Sequence, residues 1–405
     1  MGAFAALFSP GAGAGPWSVE PRLGIAAQYV SNPQLRITDA QAEENVAGTV
    51  DLPLRYDTDS MELLFRPNGR LTNRQGYSSL ASNYEHLDGA AQIPSERGIT
   101  TVQGEVARDS SLYYVGGLVN GIGVPRDSAN TNANWTHSLT ERQQVQLDAS
   151  WTRVRYLEPI GLNALVDYRY LSAGPTFSAA VSERDTIKIL GSYGRYQSLN
   201  GITESRSENL QLAFVRQLTE IWTLSTSAGY SRSVNSEKVY ETFFFGTVFL
   251  GEFKSNQNGA VYAASLTRQG ERFNLSVGAS QALQPTGFAF LSRQDSFNLN
   301  ATYARTERWD FAATASWLRA VNPLVSGGVA LKGTESTTRY LNAQLTANWH
   351  WTPQWTVSVS AARITQQYGS YTIDVGSSAV NIPSRGAAST NVSLNFARQF
   401  LRTQF

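Results

Sequence analysis

The chain has 405 residues, of which 33 are basic and 32 are acidic, so its formal net charge of +1 gives little reason to expect a nucleic-acid partner. It contains no cysteine, which excludes disulfide frameworks, thiolate metal sites and thiol nucleophiles. Only 41% of the residues are hydrophobic and the mean hydropathy is −0.27. No run of about 20 apolar residues is present that would cross a bilayer as a helix.

Residues 1–16 are mostly apolar or small, and no Lys or Arg precedes the apolar part. Such a segment is typical either of a signal peptide that lacks its basic start or of a disordered leader. The pattern that follows is not interrupted by a charged or proline-rich linker. We therefore expect residues 17–405 to form one domain.

From Trp17 onward, apolar and polar residues alternate with a period of two, and no 11-residue window shows a convincing helical period. In the segments 144–151, 296–303 and 341–349, Ala, Leu, Val and aromatic residues occupy one face. Asn, Gln, Asp, Ser and Thr occupy the other. This pattern predicts β-strands with one apolar and one polar face.

Short polar turns and longer connections alternate along the chain. The short turns lie at 139–142, 182–185, 219–222, 270–273, 306–309 and 352–355. The longer connections, rich in Gly, Asn, Ser and Pro, lie at 109–127, 157–162, 199–201, 237–254, 285–291, 322–335 and 370–386. The alternation predicts an all-β, antiparallel up-and-down sheet of about 18 strands, with about 16 as the alternative count.

Matching apolar residues across the turns predicts the hairpin registers. The turn at 306–309 places Tyr303 opposite Trp309, and the turn at 352–355 places Trp349 opposite Trp355. Near the N-terminus, a turn at 58–59 pairs oppositely charged residues on the polar face, namely Arg55 with Glu62 and Asp51 with Arg66.

Aromatic residues on the apolar face concentrate beside the short turns: Trp222, Phe273, Tyr303, Trp309, Trp349 and Trp355. Aromatic residues at one height form a girdle at a membrane interface. The alternative, a soluble barrel plugged by aromatic residues, would not need a polar inner face all the way round. Because lipid cannot satisfy open strand edges, the sheet is predicted to close into a transmembrane β-barrel.

Several segments resemble the β-barrel porin proteins found with exopolysaccharide and exosortase gene clusters: WTRVRY at 151–156, LVDYRY at 165–170, AGP at 173–175, the turn at 182–184 and GSYGR at 191–195. In architecture the resemblance extends from residue 17 to 405. It implies a Gram-negative outer-membrane location, with short periplasmic turns and longer extracellular loops, and a role in polysaccharide export. The final Phe405 looks like the signal that the barrel assembly machinery recognises in such proteins.

Charged and amide side chains on the polar face are the candidate lumen lining: Asp51, Arg55, Glu62, Arg66, Glu105, Gln144, Gln146, Asp148, Asp167, Arg169, Asn298, Asn300, Asn342, Gln344 and Asn348. Two interpretations stay open for the charges. They either form ion pairs that stabilise the wall, or line a path for a hydrated solute.

The three histidines, His86, His137 and His350, are scattered, so we expect no catalytic residue, metal or cofactor. His350 lies between Trp349 and Trp351, which predicts an interfacial ring rather than a base.

The expected function is an outer-membrane pore for a hydrated polar solute such as an exported polysaccharide. The alternatives are a non-conducting barrel that scaffolds an envelope complex and, third, an outer-membrane enzyme. Segments 109–127 and 237–254 either contact a partner or plug the lumen, or form hairpin arms above the membrane. The expected partners are outer-membrane lipid, the barrel assembly machinery and a polysaccharide or export complex.

Overall fold

Every strand that forms the main sheet of the computed structural model pairs with antiparallel neighbours. The structure describes residues 17–33, 35, 37–75, 84–110, 125–157, 166–243, 246–285, 291–326, 329–369, 371–375 and 378–404. The predictions for the leader at 1–16 and for Phe405 lie outside these residues. Within the described part of the chain, no helix is long and apolar enough to cross a membrane.

The strands are β1 (Trp17–Val19), β2 (Arg22–Val30), β3 (Glu43–Asp51), β4 (Leu54–Thr58), β5 (Met61–Gln75), β6 (Tyr84–Ser95), β7 (Gly98–Ser110), β8 (Pro125–Ser138), β9 (Gln143–Tyr156), β10 (Tyr168–Ala180), β11 (Asp185–Ser198), β12 (Thr203–Gln217), β13 (Trp222–Phe243), β14 (Gly246–Arg268), β15 (Phe273–Pro285), β16 (Leu291–Thr306), β17 (Trp309–Ser326), β18 (Val329–His350), β19 (Trp355–Tyr368), β20 (Tyr371–Val375), β21 (Ser378–Ile382), β22 (Arg385–Gln399) and β23 (Thr403–Gln404).

The sheet closes because β2 pairs with both the first and the last part of the ring. Ile25 lies opposite Gly48 of β3 and opposite Phe396 of β22. The ring consists of β2, β3, β5 to β19 and β22, which is 18 strands. The predicted all-β barrel is confirmed, with 18 strands rather than 16.

At the short-turn end, β1 and β4 continue β2 and β3 beyond proline residues, and β23 continues β22 after residues 400–402. Pro21 separates β1 from β2, and Pro53 separates β3 from β4. Proline has no N–H, so it interrupts the ladder without ending it. The backbone bond from Glu20 N to Pro53 O (3.3 Å) and that from Leu52 N to Pro67 O (3.0 Å) keep the pairing across the gaps.

The register assigns every strand residue to the outer or the inner face, because directly opposite residues share a face. The outer face exposes large apolar side chains: Ile25 is 63%, Leu210 63% and Leu345 67% exposed. Hydroxyl and amide side chains occupy the inner face. An apolar exterior around a polar interior matches a barrel surrounded by lipid.

A Ser or Thr hydroxyl stabilises most short turns. Thr219 Oγ1 accepts hydrogen bonds from the backbone N–H groups of Ile221 (3.4 Å) and Trp222 (3.2 Å). Equivalent pairs of bonds end on Thr140, Ser182, Thr306 and Thr352. These bonds satisfy backbone donors that would otherwise have no partner in the turn.

The predicted faces of the hairpins are right, but their registers differ from the prediction by two residues. Tyr303 lies opposite Phe311 instead of Trp309, and Trp349 lies opposite Val357 instead of Trp355. A shift of two residues leaves every side chain on the same face, so the alternating pattern cannot distinguish the two registers.

Two predicted long connections are largely strand. β13 continues to Phe243 and β14 starts at Gly246, so most of 237–254 is a paired hairpin arm. In the same way, β17 and β18 extend through most of 322–335. The backbone of both arms continues the ladder of the wall on the side opposite the short turns. Most of 109–127 lies outside the described residues.

Candidate functional site

The candidate site is the lumen wall, and all but two of the predicted lining residues lie on it. On the inner face are Asp51, Arg55, Glu62, Arg66, Glu105, Gln144, Gln146, Asp148, Asn298, Asn300, Asn342, Gln344 and Asn348. Their role in solute passage stays a prediction.

Asp167 and Arg169 do not line the lumen. Arg169 lies opposite Arg153 and on the same face as Leu171, which is 50% exposed on the outside of the barrel. Asp167 precedes β10, and its Oδ1 accepts a hydrogen bond from the backbone N of Tyr156 (2.8 Å). At this height the outer face is polar too, so polarity does not identify the lumen side.

One ion pair of the predicted hairpin forms and the other does not. Arg66 donates to Asp51 through Nε (2.6 Å to Oδ1) and Nη2 (2.7 Å to Oδ2). The observed register instead places Arg55 opposite Leu64, and Glu62 opposite Asp57. No ion pair joins Arg55 to Glu62 in the described structure. After the two-residue shift, Asp51 and Arg66 are diagonal neighbours on the same face, and their side chains still reach each other.

The charged sector of the wall lies on β3 to β9, where several of the acidic groups have a hydrogen-bond donor nearby. Asp88 accepts a bond from Asn68 (3.0 Å), and Glu105 lies 3.2 Å from His86. Asp148 accepts bonds from the amides of Asn134 (2.6 Å) and Gln146 (2.9 Å). The pairing interpretation therefore holds for part of this sector, with amides as well as arginines as partners.

The neutral sector lies on β10 to β16. Among the described side chains, Lys188 and Glu237 are the only charged ones on its inner face. Serine hydroxyls bond across neighbouring strands, as in Ser280 and Ser296 (2.7 Å). Near the long-connection end some of these side chains, such as Ser205 and Ser233, are buried. The accessible hydroxyls and amides both donate and accept, so they can exchange hydrogen bonds with a hydrated solute in either direction.

A recess of about 480 Å³ connects the two sectors. Apart from Leu190, its inner-face lining consists of hydroxyl, amide and glycine residues with one carboxylate: Thr101, Gln103, Asn132, Asn134, Asp148, Ser150, Ser172, Gly174, Thr176, Ser192, Asn209 and Gln211. Small side chains on β10 and β11 create the space. The alternating sequence pattern predicts which residues face the lumen. It does not predict this recess, because the recess depends on the relative heights of six strands.

A hydrogen-bonded histidine near the short-turn end corrects the prediction for His350. Its ring lies on the inner face, with Nε2 2.6 Å from Oδ2 of Asp310 and Nδ1 3.1 Å from Oγ1 of Thr356. Asn348 donates to the other oxygen of Asp310 (2.5 Å). His350 is therefore a lumen residue and not an interfacial ring. Its partner lies 40 positions away, so no local sequence pattern predicts the contact.

Tyrosine residues cover the inner face of β9 to β11 near the long-connection end. Tyr196 is completely buried, and its ring stacks on Tyr168 with centroids 5.2 Å apart. On the neighbouring strands, the buried Arg126 donates to Asp109 through Nε (2.8 Å). The alternating pattern does not predict this cluster, although four tyrosines occupy even positions between 156 and 196.

The six predicted girdle residues lie on the outer face at the short-turn ends of their strands. Trp309 lies directly opposite Trp349, with ring centroids 6.1 Å apart. Tyr230 lies on the outer face eight residues beyond Trp222. This distance is about 26 Å along a strand, or roughly 20 Å of height at a tilt of about 40°. The spacing fits the hydrocarbon layer of an outer membrane.

Comparison with known proteins gives matches among solved structures but none by sequence. No family model and no curated protein matches the sequence. Among solved structures, OccK1 (OpdK) of Pseudomonas aeruginosa is 11% identical, with 94% of this chain and 99% of that chain covered and a TM-score of 0.47. The unliganded ferric citrate transporter FecA is 10% identical, covers 94% and 78% of the two chains, and has a TM-score of 0.47. The open form of the ferric-catecholate import receptor Fiu from E. coli K12 is 9% identical over 93% and 81%, with a TM-score of 0.46.

Within the described residues, no cluster of three or more His, Asp or Glu side chains has the arrangement of a metal site. His137 lies on the outer face, where its ring stacks on Trp135 at 5.6 Å. His86 contacts Glu105 and lies edge-on to Tyr84. The three histidines thus lie at separate places on the wall, each with its own neighbours.

Proposed function

We propose that this protein is a passive outer-membrane pore for a hydrated, polar and largely uncharged solute, with an exported polysaccharide as the substrate class. The observation that carries the proposal is the neutral sector of hydroxyls and amides on β10 to β16, next to the polar recess of about 480 Å³. Carbohydrate hydroxyls both donate and accept hydrogen bonds, and these side chains match them in both roles.

The charged sector supports the same proposal. Several of its carboxylates are already bound: Asp51 by Arg66, Asp88 by Asn68, and Asp148 by Asn134 and Gln146. Paired charges produce a weaker field in the lumen than unpaired charges. The pore is therefore expected to discriminate little between anions and cations.

The test is a planar-bilayer recording of the refolded protein with and without an added neutral oligosaccharide. We expect a cation-to-anion permeability ratio near unity and a current that decreases with oligosaccharide concentration. A strongly ion-selective current that the oligosaccharide leaves unchanged would contradict the proposed substrate class while leaving the pore itself intact.

The second candidate function is a non-conducting barrel that scaffolds an envelope complex. It is favoured by the burial of inner-face side chains near the long-connection end, where Tyr196, Ser205 and Ser233 have no exposed surface. Such packing narrows the lumen at that height. The absence of current from correctly folded protein would support this candidate.

A further inference from the structure

The outer face of β9 to β13 carries an excess of positive charge at the long-connection end. Six exposed side chains form what is called here the arginine patch: Arg153, Arg155, Arg169, Arg195, Arg206 and Arg232. Glu204 and Glu208 share this face. Asp127, on neighbouring β8, is already paired with Arg108 (2.8 Å). Asp167, which directly precedes β10, has the same parity as Arg169. The six arginines thus exceed the three carboxylates by three charges.

The strand register brings like charges of the patch together. Arg153 lies directly opposite Arg169, and Arg195 directly opposite Arg206. Like charges in directly opposite positions destabilise a sheet. Glu204 Oε1 accepts bonds from both Arg195 (3.0 Å) and Arg206 (2.9 Å), so one carboxylate serves two guanidinium groups. The patch therefore holds positive charge that neighbouring glutamates only partly offset.

The patch borders the band of exposed apolar side chains that surrounds the barrel, on the side of the long connections. Trp151, Tyr193 and Tyr230 are exposed on the outer face, and each lies two residues before a patch arginine. Two residues correspond to about 7 Å along a strand. Aromatic side chains of this kind lie at the membrane interface. The guanidinium groups are thus at the depth of the lipid headgroups.

A groove of about 480 Å³ on the outer surface of the barrel lies next to the patch, on the side that faces the short turns. Small residues of β10 and β11 form its floor and larger side chains form its walls: Ala173, Pro175, Gly191, Tyr193, Leu210 and Tyr230. Arg232 and Glu208 lie at its polar rim. The groove is apolar toward the short turns, and the positively charged patch borders it toward the long connections. This arrangement matches an acyl chain attached to an anionic headgroup.

We propose that this surface binds a phosphate-bearing lipid of the leaflet on the long-connection side, with an acyl chain in the groove and the phosphate on the arginine patch. Guanidinium groups bind phosphate through two parallel hydrogen bonds, which ammonium groups cannot do. Arginine supplies 29 of the 33 basic residues of this chain. The site requires membrane insertion but not conduction, so it goes beyond the proposed pore.

The test measures lipid retained by the purified, detergent-solubilised barrel in native mass spectrometry. The probes are phosphatidic acid and phosphatidylcholine with identical acyl chains. The variant Arg153→Gln/Arg169→Gln/Arg195→Gln is expected to lose phosphatidic acid affinity by about tenfold or more. The matched control removes three arginines at the short turns, Arg142→Gln/Arg184→Gln/Arg272→Gln, and is expected to retain wild-type affinity.

Two further variants separate lipid binding from a folding defect. Glu204→Gln removes the carboxylate that offsets Arg195 and Arg206, so it is expected to increase phosphatidic acid retention. Gly191→Trp adds a bulky ring to the groove floor, where a Cβ has only ordinary contacts with Pro175, and is expected to reduce retention of the lipid without changing charge.

Equal retention of both lipids by the wild-type protein would overturn the proposal. So would unchanged phosphatidic acid retention in the triple variant, or no increase for Glu204→Gln. Single-channel conductance is expected to be the same for the patch and groove variants, because their substituted residues lie on the outer face. Failure of the lipid site is therefore distinguishable from failure of the pore proposal.

Discussion

Nε2 of His350 lies 2.6 Å from Oδ2 of Asp310, on the inner face close to the short-turn end of the barrel. Asp310 also accepts a bond from Asn348, so both of its oxygens have donors. The cluster places a carboxylate at the short-turn mouth of the lumen, where we expect its charge to act on ions that enter the proposed pore from that side. Its effect on permeation can be measured separately from the solute.

Replacing Asp310 with Asn removes one negative charge from this mouth. The cation-to-anion permeability ratio is expected to fall by up to about twofold, because one charge at a wide, salt-screened mouth has a modest effect. The measurement is the reversal potential across a salt gradient. Glu307→Gln removes an equal charge from a turn outside the lumen, and an equal shift in that variant would contradict the assignment.

Two ion pairs differ in burial and should differ in their contribution to stability. Arg66 and Asp51 are partly exposed, whereas Arg126 and Asp109 have side-chain exposures of 8% and 0%. Arg66→Ala is expected to lower the free energy of unfolding by about 1 kcal/mol. Asp109→Ala is expected to lower it by about 3–5 kcal/mol, because Arg126 stays buried without this carboxylate. Urea unfolding of the barrel in lipid vesicles measures both, and similar losses would contradict the difference in burial.

The assignment of faces can be tested on two adjacent residues of β18. Leu345 is 67% exposed on the outer face, while Gln344 lies on the inner face. Leu345→Arg is expected to cost about 2–4 kcal/mol of stability in lipid, and Gln344→Arg much less, because only the first places charge in hydrocarbon. The reverse order of stabilities would show that the faces are exchanged.

The turn hydroxyls are expected to contribute to stability individually. Thr219→Ala removes the acceptor of two backbone hydrogen bonds, from Ile221 and Trp222, and is expected to destabilise the barrel by about 1 kcal/mol. Thr219→Ser keeps the acceptor and is expected to remain close to wild type. Equal losses in the two variants would assign the effect to the missing methyl group instead.

The sequence predicts the faces of the strands better than their pairing. Alternation alone separates Asp148 from its neighbour Leu147 and places each on the correct side of the wall. It leaves a two-residue ambiguity in register, which the turn geometry around Thr306 resolves in the structure. Hydrogen bonds between a turn hydroxyl and the backbone have no signature in a hydrophobic pattern.

The errors lie where the chain leaves the membrane. Beyond the apolar band, on the side of the long connections, both faces of a strand are in water. A polar residue there, such as Arg169, can therefore lie on the outer face. The segments 237–254 and 322–335 are predicted as connections because they interrupt the alternating pattern, although most of each is strand. Contacts between distant strands, such as that between His350 and Asp310, require a structure.

Narrowing the recess tests the proposed path through the lumen. Ser172 lines the recess, whereas the adjacent Ala173 lies on the outer face opposite Ala149. Ser172→Trp is expected to lower the conductance by roughly a tenth to a third, because one indole fills only part of the lumen of a barrel this wide. Ala173→Trp is the matched control and should conduct like the wild type.

The central claim is that the barrel conducts. Its most direct test is the single-channel current of the refolded wild-type protein in a planar bilayer, repeated after deletion of 109–127. Before recording, heat-modifiable migration on a denaturing gel verifies that each protein is folded. We predict discrete current steps that vary linearly with voltage. Folded protein that carries no current at any voltage, with or without 109–127, would contradict the claim and favour the scaffold.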